Sequence, residues 1–232
     1  MDQPWLLDES AHAGPEHFDS GFVSGYDRKQ GHPDPTEDID LFARYGLGQA
    51  AVILDLGAGT GQFSLAAARQ FGTVRAIDVS VQMLEALRDR AAAANVGNLD
   101  CIRAGFLSYR HDGPPADAVY TRNALHHLPD FWKAIALNRM ARIMRPGAVL
   151  RIHDLIYDFQ PSEAEEILDQ WLAHAAEDPA EGYTRADFVG HIREEHSTFR
   201  WLFEPMLAAS GFEIVTADFL RDVYGAYTCV KR

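Results

Sequence analysis

Residues 54–63 read LDLGAGTGQF, with glycines at alternate positions directly after the apolar run Ala50–Leu54. Glycine reaches positive φ and lets a second molecule approach the backbone, at a cost in conformational entropy. One glycine there reads as a tight turn packed on its own helix. Three of them, Gly57, Gly59 and Gly61, between a strand and a helical pattern read as a ligand cradle.

The glycine turn opens a regular alternation. AAVILDL is a buried strand, QFSLAAARQFG a helix stopped by Gly72, and TVRAIDV a second strand. SVQMLEALRDRAAAANVG is a helix capped by Ser80, and NLDCIRAGF a third strand. A fourth strand lies in DAVYTRNAL, DFWKAIALNRMARIMRPG is a helix ending at Pro146–Gly147, and AVLRIHDLIY is a fifth strand. Strands alternating with helices of this length imply right-handed βαβ units and a largely parallel sheet. FEIVTADF and VYGAYTCVKR close the chain as two strands suited to a hairpin. The expected fold is a doubly wound, Rossmann-like α/β sheet of seven strands. It is mostly parallel, with an antiparallel terminal hairpin and a helical insertion.

Residues 1–46 form an N-terminal segment of loops and helices, in which Phe18, Phe22 and Tyr26 recur at spacing four. Residues 47–155 are the ligand-binding core. Residues 156–200 carry eleven acidic residues, three arginines and no lysine, and read as a helical cap or as plain crossover helices. Within them Thr184 and Asp187 offer a capping box. Residues 201–232 return to complete the sheet.

Charge narrows the partners. Thirty-four acidic against 21 basic residues give a formal charge of −13, which repels a phosphate backbone. Nucleic acid is not expected as a substrate. No apolar run approaches the length of a membrane span, and the acidic, Pro- and Gly-broken start shows no signal-peptide pattern. Cys101 and Cys229 lie far apart inside apparent strands and read as buried free thiols of a cytoplasmic protein.

A triphosphate loop needs Lys and Ser/Thr after the glycines, where Gln62 and Phe63 stand. A dinucleotide turn is G-x-G-x-x-G, and here the third of those positions is Gln62. Asp78 ends the second strand 21 residues beyond Gly57, where a carboxylate can accept both hydroxyls of a ribose. As a charge beside Ser80 it also suits a helix start.

At this point the chain resembles the class I S-adenosylmethionine-dependent methyltransferases, in particular their small-molecule, quinone- and sterol-methylating group. DLGAGTG at 55–61 matches the first motif, TRNALHHLPD at 121–130 the segment after strand four, and RIMRPGAVLRIHD at 142–154 the turn into strand five. The resemblance covers residues 52–155 well. It implies S-adenosylmethionine as cofactor, with Asp55 near the methionine amino group and Gly57, Ala58, Gly59 and Gly61 around the methionyl part and ribose. Asp78 is then the ribose acid, joined in the cofactor site by Tyr26, Val79, Met83, Gly105, Phe106, Arg122 and Asn123. Members commonly carry an acid after strand three for the adenine amino group. Gly105 and Phe106 stand there instead, which leaves adenine to stacking and backbone groups.

Methyl transfer from a sulfonium is an in-line displacement that needs alignment and exclusion of water, and sometimes a base. His126, His127 and Glu195 are the candidate catalytic groups, because imidazole titrates near neutral pH. His191 and Glu195, four apart, can meet on one helix, and Tyr26, Tyr183 and His196 belong to elements able to roof a pocket. His153 and Asp154 end strand five close by, but a mixed strand-end and loop geometry suits no metal, and none is expected. The function read from the sequence is methyl transfer to a small organic acceptor at oxygen, nitrogen or carbon. A catalytically silent cofactor-binding scaffold and a protein methyltransferase are the alternatives.

Overall fold

The alternation of strand and helix periods builds one twisted sheet in a computed structural model that describes residues 4–232. The strands of the alternating part are β1 (Val52–Leu56), β2 (Thr73–Asp78), β3 (Leu99–Arg103), β4 (Ala116–Arg122) and β5 (Met144–Tyr157). They are joined by β6 (Thr198–Phe199), β7 (Phe212–Leu220) and β8 (Tyr224–Lys231). The order is β3-β2-β1-β4-β5-β8-β7, with β6 against the end of β5. All pairings are parallel except those of β8 with β5 and β7. The described residues form eight strands rather than seven, the addition being the two-residue β6. Arg221, Asp222 and Val223 join β7 to β8 as a three-residue hairpin loop, with Arg221 and Asp222 at positive φ.

Side chains alternate across each strand, so β1 feeds two cores. Ile53 points into the layer made with Phe42, Phe63 and Phe71. Leu54 and Leu56 point into the opposite layer, with Leu137, Met140, Phe203 and Leu207. Helices α2 (Thr36–Arg44) and α3 (Gln62–Gln70) cover the first face, and α5 (Asp130–Ile143) and α8 (Arg200–Ala209) the second. Helix α4 (Val81–Ala93) packs on β2 and β3 through Leu84 and Leu87. Helix α5 stops at Ile143, short of the expected Pro146–Gly147. Met144 instead pairs with Ala116, and the register then shifts before Val149 meets Ala118.

Residues 156–200 contribute two helices, α6 (Ala164–Leu172) and α7 (Arg185–Glu194). The stretch from Pro161 is a 3-10 turn followed by α6. Trp171 on α6 is buried, stacks on Phe188 of α7 and donates from Nε1 to the Tyr224 hydroxyl at 2.9 Å. Leu155, Phe159 and Val223 complete this small core, which seats the pair of helices on the ends of β5 and β8. The capping box at the start of α7 forms between Thr184 and Asp187.

Buried Asp38 of α2 accepts from Arg151 Nε at 2.8 Å and lies 2.9 Å from His153 Nε2. This locks α2 to β5 and engages His153 with Asp38. Burial opposes the charge, but His153 and Arg151 hold the carboxyl down at about 2. Removing one partner of a buried pair leaves the other uncompensated. Asp38→Ala should cost about 3–5 kcal/mol in urea unfolding. The folded pKa lies below the ordinary 3.8, so the loss should be full at neutral pH and shrink as pH falls from 3.8 toward 2. A loss of stability that is the same at all pH would contradict this role.

Candidate functional site

The strand order reverses between β1 and β4, which opens a crevice beyond the carboxyl ends of both. Gly57, Gly59 and Gly61 all hold positive φ, at +76°, +52° and +83°. Their roles differ. A Cβ on Gly57 would lie 2.4 Å from Ala124 Cβ, and one on Gly61 would lie 2.0 Å from Leu87 Cδ1. Those two glycines admit the chain after β4 and helix α4. At Gly59 the nearest atom is the Tyr26 ring at 3.4 Å, so the open part of the cradle is here. Asp78 fixes the turn, accepting from Gly59 N–H at Oδ2 and from Ser80 N–H at Oδ1, both at 2.8 Å.

The crevice has two lobes. One, of about 520 Å³, is lined among others by Asp55, Ala58, Phe63 and Arg122. The other, of about 600 Å³, is lined by Glu9, Asp78, Val79, Gly105, Phe106 and His127. Tyr26, Gly57, Gly59 and Asn123 border both. Asp55 is buried, accepts from Ser64 Oγ at 2.5 Å and is pushed up to about 7, chiefly by burial. Arg122 has a buried Nε with no hydrogen-bond partner. Burial likewise raises the Asp78 carboxyl, and burial together with Asp78 and Asp27 raises the Tyr26 hydroxyl. An acid and a guanidinium with an unpaired Nε in one lobe, and a carboxylate in the other, suit an amino-acid group joined to a ribose. Gly61 and Met83 lie off the crevice, and the Met83 N–H caps onto Ser80 Oγ at 3.1 Å.

Sequence reasoning missed Glu9. It sits in a 3-10 turn, Glu9–Ala11, and is buried against the loop after β3. Its Oε1 accepts from Leu107 N–H at 2.9 Å, and Oε2 from Ser108 N–H at 3.0 Å and Ser108 Oγ at 2.9 Å. A Cβ on Gly105 would lie 2.4 Å from this carboxylate, so the bare residue is what admits it. Burial raises its pKa against those donors. Glycine at 105 was the one trace in the sequence, and it named no partner.

The three catalytic candidates come together. His126 and His127 lie in the 3-10 turn Leu125–His127 after β4, with ring centroids 4.4 Å apart. Glu195 arrives from the end of α7, and its Oε2 is 3.0 Å from His126 Nε2, 2.6 Å from His191 Nδ1 and 4.0 Å from His127 Nδ1. Asp154 binds the far side of His126, Oδ1 to Nδ1 at 2.6 Å, while its Oδ2 accepts from Leu125 N–H at 2.8 Å. Burial opposes a charge on His126, but Asp154 and Glu195 prevail and raise it to about 9. His127 is driven well below the ordinary range by burial and by His126. His191 Nε2 contacts Ser197 Oγ at 2.7 Å, and His196 N–H donates to the His126 carbonyl at 2.8 Å.

Helix α1 (Ser20–Lys29) closes over the turn and touches the cap. Asp27 binds Thr60 Oγ1 and Arg90. Gln30 donates to the Tyr183 hydroxyl at 2.6 Å and accepts from Asn123 Nδ2 at 3.2 Å. Lys29 pairs with Asp187 at 3.2 Å. Among the described residues no helix is long and apolar enough to cross a membrane.

Residues 53–147 match the profile of a methyltransferase domain. The chain is similar to the 27-O-demethylrifamycin SV methyltransferase of Amycolatopsis mediterranei (strain S699), 26% identical over 72% of this chain and 70% of that one. It is also similar to the methyltransferase GfsG of Streptomyces halstedii, 31% identical over 50% of this chain but only 42% of the relative's length. In fold it resembles magnesium protoporphyrin IX methyltransferase from Synechocystis PCC 6803 with bound SAM. That likeness has a TM-score of 0.65 at 14% identity, covers all of both chains and speaks for the fold alone. The matched domain, the methyltransferase relatives and the SAM-bound fold neighbour together support a class I methyltransferase domain over residues 53–147, with S-adenosylmethionine as its cofactor.

Proposed function

We propose that the protein methylates a small organic acceptor held between the cofactor crevice, helix α1 and the α6–α7 pair. The observation that carries this reading is the bridging of α1 to the cap by Gln30–Tyr183 and Lys29–Asp187. The bridge roofs the crevice, and a roofed site suits a small molecule better than a peptide. The similarity to an enzyme named for 27-O-demethylrifamycin SV supports the same class of acceptor.

S-adenosylmethionine supplies an electrophilic methyl group on a sulfonium. The protein's part is to hold, orient and keep dry. Asp55 and Arg122 take the amino and carboxylate groups of the methionyl part. Asp78, whose oxygens accept from Gly59 and Ser80 N–H, takes the ribose hydroxyls. Val79, Gly105 and Phe106 flank the base. Glu9 stands in for an acid after β3: its carboxylate lines the same lobe as Val79, Gly105 and Phe106 and takes an amino hydrogen of adenine. The acceptor lies beside His127, and the His126–His127–Glu195 cluster activates its hydroxyl.

Calorimetry tests the cofactor site. S-adenosylhomocysteine should bind at one equivalent, and Asp78→Ala should weaken it by about 10- to 100-fold, the value of one or two charge-assisted bonds. Glu9→Gln should weaken it as well, yet leave unchanged the affinity for the inosyl analogue, which has no amino group. Equal losses for both ligands would remove Glu9 from adenine recognition.

The roof is tested with Tyr183→Ala. Acceptor KM should rise about tenfold, roughly 1.4 kcal/mol, while cofactor affinity stays near that of the unsubstituted protein. Tritiated methyl incorporated only into protein, with none in a metabolite extract, would overturn the small-acceptor reading.

A further inference from the structure

Within the group His126, His127 and Glu195, two buried polar atoms, Glu195 Oε2 and His127 Nδ1, have no well-directed hydrogen-bond partner. Asp154 accepts at His126 Nδ1, which leaves Nε2 as the nitrogen facing Glu195 Oε2 at 3.0 Å. His191 Nδ1 approaches the same oxygen at 2.6 Å, yet Oε2 is buried and receives no well-directed hydrogen bond. His127 Nδ1, 4.0 Å from that oxygen, is also buried without a partner. A cation in this cluster, either a proton on His126 Nε2 or a metal ion shared by the three side chains, would satisfy the carboxylate oxygen, but only the metal ion would also engage His127 Nδ1.

We infer that His126 Nε2, His127 Nδ1 and Glu195 Oε2 bind a divalent first-row transition ion. The three ligand atoms lie within 4.8 Å of one another. Two imidazoles and one carboxylate form a set that suits zinc, iron or manganese rather than magnesium, and three protein ligands leave a position open. The outer contacts are those such a site uses. Asp154 holds His126 through its other nitrogen, and His191, held by Ser197, supports Glu195. His127 lines the cofactor crevice, so the ion adjoins the acceptor space, where its Lewis acidity would act on an acceptor oxygen. This proposal departs from the expectation of no metal. That expectation weighed His153, which is bound to Asp38, and did not weigh Glu195 as a ligand.

Co²⁺ is the probe. Protein stripped with a chelator and then titrated should bind one equivalent, develop the visible ligand-field band of a four- or five-coordinate ion, and rise in thermal midpoint. Glu195→Gln should abolish the band, Asp154→Asn should weaken binding about 10- to 100-fold, and exposed His174→Ala should change nothing. No band and no thermal shift in the unsubstituted protein would leave a purely protonic cluster and overturn the site. So would a band that persists in folded Glu195→Gln. If that variant does not fold, the unsubstituted protein decides alone. Calorimetry with S-adenosylhomocysteine, run on stripped and loaded protein, separates failure of the metal site from failure of the cofactor reading.

Discussion

One buried carboxylate organises the cofactor site. Asp78 ends β2, and its two oxygens reach in different directions, one to Gly59 in the turn after β1 and one to Ser80 at the start of α4. Two βα junctions are therefore tied through a single side chain. Burial works against its charge, and backbone N–H groups offset that cost. The bare turn can then remain open at Gly59, because its path is fixed from behind.

The rest of the site is completed by chain lying outside the alternating core. Glu9 docks on the loop after β3, and Tyr26 on the glycine turn. Asp27 reaches Thr60 and Arg90. From the other side, α7 delivers Glu195 to a pair of histidines that follow β4. In the proposed reading the core provides cofactor geometry, and the two added segments supply the groups that face base and acceptor. Because Gln30 and Lys29 also hold Tyr183 and Asp187, the added segments brace each other directly.

Much of this was legible in the sequence, and the reasons are local. The strand–glycine–helix run, Ser80 as a cap and the Thr184–Asp187 box depend on neighbours a few residues away, so their spacing carries them. The meeting of His191 with Glu195 follows from helical spacing alone. Contacts that cross the chain left no such mark. Glu9 meets Leu107 and Ser108 across nearly a hundred residues, and Asp38 meets His153 across 115. Gly61 read as part of the ligand cradle because a packing glycine and a binding glycine look alike until Leu87 is seen beside it. The two-residue β6 is too short to carry any period.

A crystal structure with S-adenosylhomocysteine bound is the most direct measurement. The account predicts the amino-acid end between Asp55 and Arg122, the ribose on Asp78, the adenine amino group within hydrogen-bonding distance of Glu9, and the sulfur on the side of His127. Adenine lying away from Glu9, or a ligand seated outside the crevice between β1 and β4, would contradict it.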